Sequence, residues 1–374
     1  MTRVLFVDDE AFVLRALDRA VRMRRPSWSA AFLPSAEAAL EKLAAEPYDI
    51  IVSDLSMPGI DGVTLLRIVR ERFPHMTRMA LSGQSALGEG LRAAAAVHQW
   101  IAKPCDMRSL CEHIDQVAWA RELVADPAIL SRTSELSSLP SPPRLYVQVS
   151  DALARDARMA DIVRLIETDP AVVSKLLQLT NSAFFSDRER VTSVARAVAI
   201  LGTDLLRGLL LTADLFREGN VPAGFREHSL LVAEVARGRV GQLGQAGHGG
   251  AAAAGLDAEA FVAGLLHDVG ELIVPDHTHD LLHARTGALL LGLWGLPASL
   301  TSAIAFHHDP GSAPHADEPV GRALAQAEAL VEELAAGGVG ADPAASERVT
   351  AVVPVDQLDA ARGLAGELWR ASHH

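Results

Sequence analysis

The stretch Ile50-Ile51-Val52-Ser53-Asp54-Leu55-Ser56-Met57-Pro58-Gly59 decides how the first third of the chain reads. Short strand-favouring residues run into a carboxylate, and Met57-Pro58-Gly59-Ile60-Asp61-Gly62 then supplies the turn residues of a loop that bends close to that carboxylate. Working outward, further strand candidates occupy residues 4–7, 30–33, 79–81 and 100–102. Between and after the five strands lie helix-length amphipathic segments near residues 12–23, 36–45, 63–72, 88–96 and 107–123. Ser35, Asp61 and Asp106 stand where N-caps are wanted. Alternation of this kind predicts a doubly wound five-stranded parallel sheet with helices on its faces.

In such sheets reactive groups gather beyond the carboxyl ends of the strands. Asp8 and Asp9 follow the first strand, Asp54 ends the third, Ser82 the fourth and Lys103 the fifth. Three neighbouring carboxylates repel one another unless a cation sits among them, and an all-oxygen site that keeps several waters suits Mg²⁺. With a cation neutralising phosphoryl oxygens and an ammonium opposite, a carboxylate can attack phosphorus; Asp54 is the central candidate. Lys103 would supply a compact charge and Ser82 a hydroxyl.

After residue 123 the strand signal stops. A linker over residues 124–135 leads to a second domain, residues 136–334, in which nearly every segment has helical period, so an all-α unit is expected. Mobile loops are expected at residues 241–255 and 337–346, leaving 335–374 as a loop and a short terminal segment. Histidines concentrate in this half: His228, the pair His267-Asp268, His283 and the pair His307-His308. Adjacent helix residues point about 100° apart, so both members of a pair reach one metal only where helices converge. Imidazoles with a carboxylate favour Zn, Mn or Fe; alternatively these are helix-end histidines bonded to backbone or to each other, with no metal.

The 374 residues are 49% hydrophobic and 22% charged, which excludes a disordered or collagen-like chain and suggests two or three globular units. Acidic residues outnumber basic ones 47 to 34, a net charge of -13, which disfavours a broad electrostatic hold on nucleic acid or an anionic membrane. Cys105 and Cys111 are too few for a disulfide framework and read as packing residues in a reducing compartment. The longest apolar run, residues 287–300, is short of a membrane span, so a cytoplasmic protein is expected.

Phe6-Val7-Asp8-Asp9-Glu10, Ser53-Asp54-Leu55-Ser56-Met57-Pro58-Gly59, Leu81-Ser82-Gly83 and Ala102-Lys103-Pro104 together resemble the receiver domain of two-component response regulators, over residues 1–123. The resemblance implies the flavodoxin-like strand order 2-1-3-4-5 and phosphorylation of Asp54 by a sensor histidine kinase. It implies Mg²⁺ held by Asp9, Asp54 and the backbone carbonyl of Ser56, with Asp8 acting largely through water. Ser82 and Lys103 would be the switch pair, a cis bond would precede Pro104, and Trp100 would stand where such domains carry an aromatic that swings inward.

Leu139-Pro140, Asp169-Pro170, Leu176-Leu177-Gln178-Leu179-Thr180-Asn181-Ser182-Ala183, Ala263-Gly264-Leu265-Leu266-His267-Asp268-Val269-Gly270, Leu293-Trp294-Gly295-Leu296-Pro297 and His307-His308 resemble an HDOD domain, a relative of the HD metal-dependent phosphohydrolases. The resemblance implies a signalling module acting on a downstream protein or a second copy of the chain. It also leaves a receiver-gated HD-type phosphodiesterase as the alternative. Against cyclic-dinucleotide turnover, Glu271 stands where HD-GYP enzymes carry Lys, Glu328 takes the place of the last Asp ligand, and no Gly-Tyr-Pro follows His307-His308.

Overall fold

A computed structural model describes the chain apart from residues 84–95, 104, 105, 125, 137–142, 156, 182–189, 211–220, 223, 246–250, 275–280, 315–317, 340, 373 and 374. It divides into two compact units. One comprises Met1–Ser137, Gln178–Arg190 and Leu289–Gly295; the other comprises Ser138–Leu177, Val191–Ala288 and Leu296–His374. Among the described residues no helix is long and apolar enough to cross a membrane.

The first unit holds a five-stranded sheet in the order β2-β1-β3-β4-β5, every neighbouring pair parallel. Its strands are β1 (Arg3–Val7), β2 (Ser29–Leu33), β3 (Ile50–Asp54), β4 (Thr77–Gly83) and β5 (Gln99–Lys103). Every residue of β3 is buried, whereas β2 at the edge of the sheet is half-buried throughout. Registers Val7↔Ser53, Asp54↔Leu81 and Gly83↔Lys103 bring the carboxyl ends of four strands to one edge.

Helices α1 (Ala11–Arg24), α2 (Ala36–Ala45), α3 (Gly62–Arg72) and α4 (Met107–Glu122) cover the faces. The expected caps form: Ser35 accepts from the Ala38 amide, Asp61 from Thr64 and Asp106 from Arg108. Leu65, Leu66 and Val69 of α3 are fully buried, contributing about 1.5–3 kcal/mol each to the core. Cys111 is buried on α4, and burial pushes its thiol up, which fits packing. The helix expected at residues 88–96 and the features at Pro104 and Cys105 lie outside the described residues.

Helices form within three segments that composition marks as linker, loop or terminal segment. The linker contains a helix, α5 (Pro127–Glu135), because Asp126 caps it and Pro127 occupies its first position, where a missing N–H costs nothing. The stretch read as a loop at 241–255 is helical at both ends: α10 (Phe225–Gln245) runs into it and α11 (Ala251–Leu266) begins within it, since alanine's helix propensity outweighs the scattered glycines. The terminal segment is likewise two helices, α15 (Pro343–Val352), started by Asp342 and Pro343, and α16 (Leu358–Ser372).

Among its described residues the second unit is all-helical. Its other elements are α6 (Pro143–Ala154), α7 (Met159–Ile166), α8 (Pro170–Thr180) up to Leu177, α9 (Val194–Leu210), α12 (Leu282–Leu293) up to Ala288, α13 (Ala298–Ala305) and α14 (Pro319–Ala335). Gly202, at φ 69° and ψ 171°, is non-helical and divides α9 into two helical stretches. The terminal helices are tied in by buried Glu333, which receives Arg362 at 2.8 and 2.9 Å and the Ser346 hydroxyl at 2.7 Å.

His98 gives the first unit a pH dependence. Its Nδ1 accepts the Arg78 backbone N–H at 3.0 Å, so the neutral ring carries its proton on Nε2, which donates to the Ser134 carbonyl at 2.8 Å. Burial, with Arg78 adding to it, holds the imidazole well below 6.5. A folded value below the unfolded one means stability complete above pH 6.5 and lost as the pH falls below it, because only the unfolded chain then takes up the proton. Thermal melts of the full chain at about pH 7.5 and about pH 5.5, on either side of the ordinary imidazole value of ~6.5, should show the first unit's transition falling with pH, and less steeply in His98→Gln. Equal slopes would contradict this assignment.

Candidate phosphoacceptor pocket and histidine cluster

At the carboxyl edge of the sheet, carboxylate oxygens of Asp8, Asp9 and Asp54 lie within 4.8 Å of one another. Asp8 is fully buried, Asp54 nearly so and Asp9 exposed. Lys103 Nζ reaches Asp8 Oδ2 and Asp54 Oδ1, each at 2.8 Å. Burial works against the Lys103 charge, but hydrogen bonds and attraction from Asp54 and Asp8 outweigh it and raise its pKa, so the ammonium is fixed. One ammonium among three carboxylates leaves an excess of negative charge at an all-oxygen site, a donor set that fits Mg²⁺. Asp8 Oδ1 is held by the Glu10 amide at 2.9 Å, which orients its carboxylate.

Ser56 sits exposed in the loop after β3. Ser82 follows the Asp54↔Leu81 pair by one residue on β4; its side chain lies outside the described residues. Trp100 is partly buried, packed against the core of this unit. Gly62 closes the loop: its amide donates to the Leu55 carbonyl at 2.9 Å, and a Cβ there would stand 1.9 Å from the Asp54 carbonyl oxygen. Gly62→Ala must therefore push the backbone of the Asp54 turn. We expect a loss of about 1–3 kcal/mol in unfolding experiments together with slowed phosphoryl uptake; an unchanged rate and melt would count against the contact.

In the second unit six of the sequence candidates come together with a seventh residue. His267 follows α11, His307 and His308 follow α13, His228 lies on α10, His283 on α12, and Glu328 on α14. Gly270 makes the convergence possible, because a Cβ there would meet the His283 carbonyl oxygen at 1.8 Å. His267 Nε2 lies 3.0 Å from both Asp268 Oδ2 and Glu328 Oε2; His228 Nε2 lies 3.4 and 3.3 Å from the same two atoms. The other carboxylate oxygen, Asp268 Oδ1, faces His283 Nε2 at 3.3 Å and His307 Nε2 at 3.7 Å, and His308 Nε2 is 3.2 Å from His283 Nε2. Asp268 thus stands between two groups of imidazoles. Glu328, read from the sequence only as a departure from an Asp ligand, belongs to the cluster.

The tautomers follow from helix ends. His267 Nδ1 is 2.7 Å from the Gly264 carbonyl and His307 Nδ1 is 2.7 Å from that of Ile304, carbonyls left unpaired at the ends of α11 and α13. A carbonyl only accepts, so both Nδ1 atoms carry hydrogen, and in the neutral rings the Nε2 lone pairs face the carboxylates. Acceptors then confront acceptors: His307 Nε2 and Glu328 Oε2 are buried without a hydrogen-bond partner. Protons or a metal cation resolve this. Without metal, burial alone would lower His267 and His228, yet Asp268 and Glu328 hold His267 well above 6.5 and His228 up to about 10. Burial, reinforced by neighbouring imidazoles, keeps His307 and His308 low, so both rings stay neutral. Five imidazoles and two carboxylates fit a transition-metal ion better than Mg²⁺.

Comparison with known proteins follows the same division. The family model for the response regulator receiver domain matches residues 4–115 and that for the HDOD domain residues 139–282. The chemotaxis protein CheY of Pseudomonas aeruginosa is 30% identical over 123 residues, 31% of this chain and 94% of CheY. The response regulator protein FleR of the same species is 34% identical over 113 residues, and an uncharacterized protein of Treponema pallidum is 29% identical over 216 residues, 51% of this chain. The chain spans 41% of the Treponema protein and 23% of FleR, less than half of each. A solved receiver domain of an HD domain-containing protein from Pseudomonas fluorescens is 26% identical, covering 31% of this chain and 92% of its own, with a TM-score of 0.29. Receiver domains typically bind Mg²⁺, which the acidic pocket fits, and interact with sensor kinases. The chain belongs to the response regulators, a receiver domain joined to an HDOD domain in one signalling polypeptide.

Proposed function

We propose that Asp54 accepts a phosphoryl group from the phosphohistidine of a sensor kinase and that its charge controls the HDOD half as an interaction module for a downstream protein. The observation that carries this is Lys103 Nζ set 2.8 Å from both the Asp8 and Asp54 carboxylates in a pocket still short of positive charge. In the transfer, an Asp54 carboxylate oxygen forms a bond to phosphorus while the phosphorus–nitrogen bond breaks and the imidazole leaves with the electron pair. Bound Mg²⁺ would supply neutralisation of the phosphoryl oxygens, held by Asp9, Asp54 and the Ser56 carbonyl. Lys103 fixes a positive charge beside the attacking carboxylate, and Asp8 fixes Lys103. Phosphorylation then biases an existing two-state equilibrium through Ser82 and Trp100. The test is intact-mass measurement of the full chain after acetyl phosphate and Mg²⁺: one added phosphoryl group is expected, and none would sink the reading.

A second reading, a receiver-gated metal-dependent phosphohydrolase, is favoured by the facing acceptors of the histidine cluster. Its burial favours the first. His267, Asp268, His307 and Glu328 are each less than a tenth exposed, leaving His228, His283 and His308 as the partly exposed members. Hydrolysis of a nitrophenyl phosphodiester by metal-loaded chain, lost in His267→Ala, would move the conclusion to the enzyme.

A further inference from the structure

Arg78 on β4 is one of the largest fully buried side chains of the first unit, and its guanidinium is met by backbone carbonyls. Nε donates to Ala96 at 2.7 Å, Nη1 to Met76 at 3.0 Å and Nη2 to Ser134 at 2.7 Å. Ser134 lies in the last turn of α5, and its carbonyl also takes the Nε2 hydrogen of buried His98, just before β5, at 2.8 Å. Two donors from two strands therefore converge on one helix-end carbonyl. The guanidinium also stands at the negative end of the α5 dipole. Burial draws its pKa down to about 9, still protonated at neutral pH.

The two strands that grip α5 are the two that carry Ser82 and Lys103 at their other ends. His98 N–H donates to the Arg78 carbonyl at 2.8 Å, and the register from Met79↔Gln99 to Gly83↔Lys103 locks the strands side by side. Four or five residues separate each grip residue from its partner at the phosphoacceptor edge, about 15 Å of extended chain. A sheet transmits a shift along a strand because its ladder bonds resist slippage by less than a whole register.

We propose that α5 is a switched element of the receiver, held by the Arg78–His98 grip and coupled through β4 and β5 to the charge on Asp54. This rests on the phosphoacceptor reading above. A helix that continues in sequence toward the HDOD domain is thereby placed under control of the acidic pocket, from the amino end of the strands rather than from the pocket itself.

Hydrogen exchange of the full chain, read by mass spectrometry with and without acetyl phosphate and Mg²⁺, tests it. Phosphorylation should change exchange at residues 127–135 several-fold in the unaltered chain and leave it constant in Asp54→Asn. Arg78→Gln, which removes charged donors from the Ser134 carbonyl, should speed that exchange about tenfold and abolish its response to phosphorylation. Intact mass in the same samples separates the failures. A chain that gains no phosphoryl group overturns the phosphoacceptor reading and the coupling with it; a phosphorylated chain with unchanged exchange at 127–135 overturns the coupling alone. An Arg78→Gln chain that still responds would leave the grip merely structural and overturn the proposal. Should that variant not fold, the unaltered chain against Asp54→Asn decides by itself.

Discussion

Asp54→Asn should take up no phosphoryl group from acetyl phosphate in the presence of Mg²⁺, a complete loss against one group per chain in the unaltered protein. The substitution keeps the shape of the side chain, and Lys103 retains Asp8 at 2.8 Å, so the pocket should hold its form. What disappears is the charged oxygen able to attack phosphorus, since an amide oxygen is a far weaker nucleophile. Removing one carboxylate also relieves repulsion in a trio packed within 4.8 Å, so the variant should melt no lower than its parent in metal-free buffer. Phosphorylation of Asp54→Asn at the parent's rate would place the acceptor elsewhere and remove the basis of the switch.

Much of this pocket was legible in the sequence because strand ends and loop residues are local signals. Asp8, Asp9, Asp54 and Lys103 each follow a short apolar run, and a parallel sheet leaves such residues one place to go. The caps Ser35, Asp61 and Asp106 were equally local. The Arg78–His98 grip was not, because nothing in Thr77-Arg78-Met79 distinguishes an arginine that stays in water from one buried beneath a helix end more than fifty residues further on. In the helical half the candidate ligands could be named, but their meeting depends on glycines: Gly264, where a Cβ would come within 2.5 Å of Ala233, and Gly270 against the His283 carbonyl. Glu328 showed the opposite weakness. Standing in the place of an Asp ligand, it read from the sequence only as a departure from the pattern, whereas α14 carries it to within 3.0 Å of His267 Nε2. The helical turns within 241–245 and 251–255 and the two terminal helices were not legible, because alanine-rich or proline-started helices resemble loops in composition alone.

The larger consequence in the second unit should come from Asp268→Asn. Both oxygens of this carboxylate are engaged in different directions, Oδ2 toward His267 and His228 and Oδ1 toward His283 and His307, so it is the only carboxylate among the described residues that faces both imidazole groups. An amide keeps the volume but turns one oxygen into a donor that cannot ligate a cation, and it lowers the negative charge of the cluster by half, leaving Glu328. If the cluster holds a transition metal on either side of Asp268, untagged protein should carry about two ions and the variant should lose at least one of them, read by elemental analysis. Stability gives an independent readout. An ion present at a hundred times its dissociation constant stabilises the fold by about 2.7 kcal/mol, so a chelator should lower the melt of the parent chain by several degrees and that of Asp268→Asn by less, in step with the ions the variant has lost. Protein that carries no metal and melts identically with or without chelator would assign the facing acceptors to protons instead, with His267 and His228 as imidazolium partners of Asp268 and Glu328, and would withdraw the hydrolase reading.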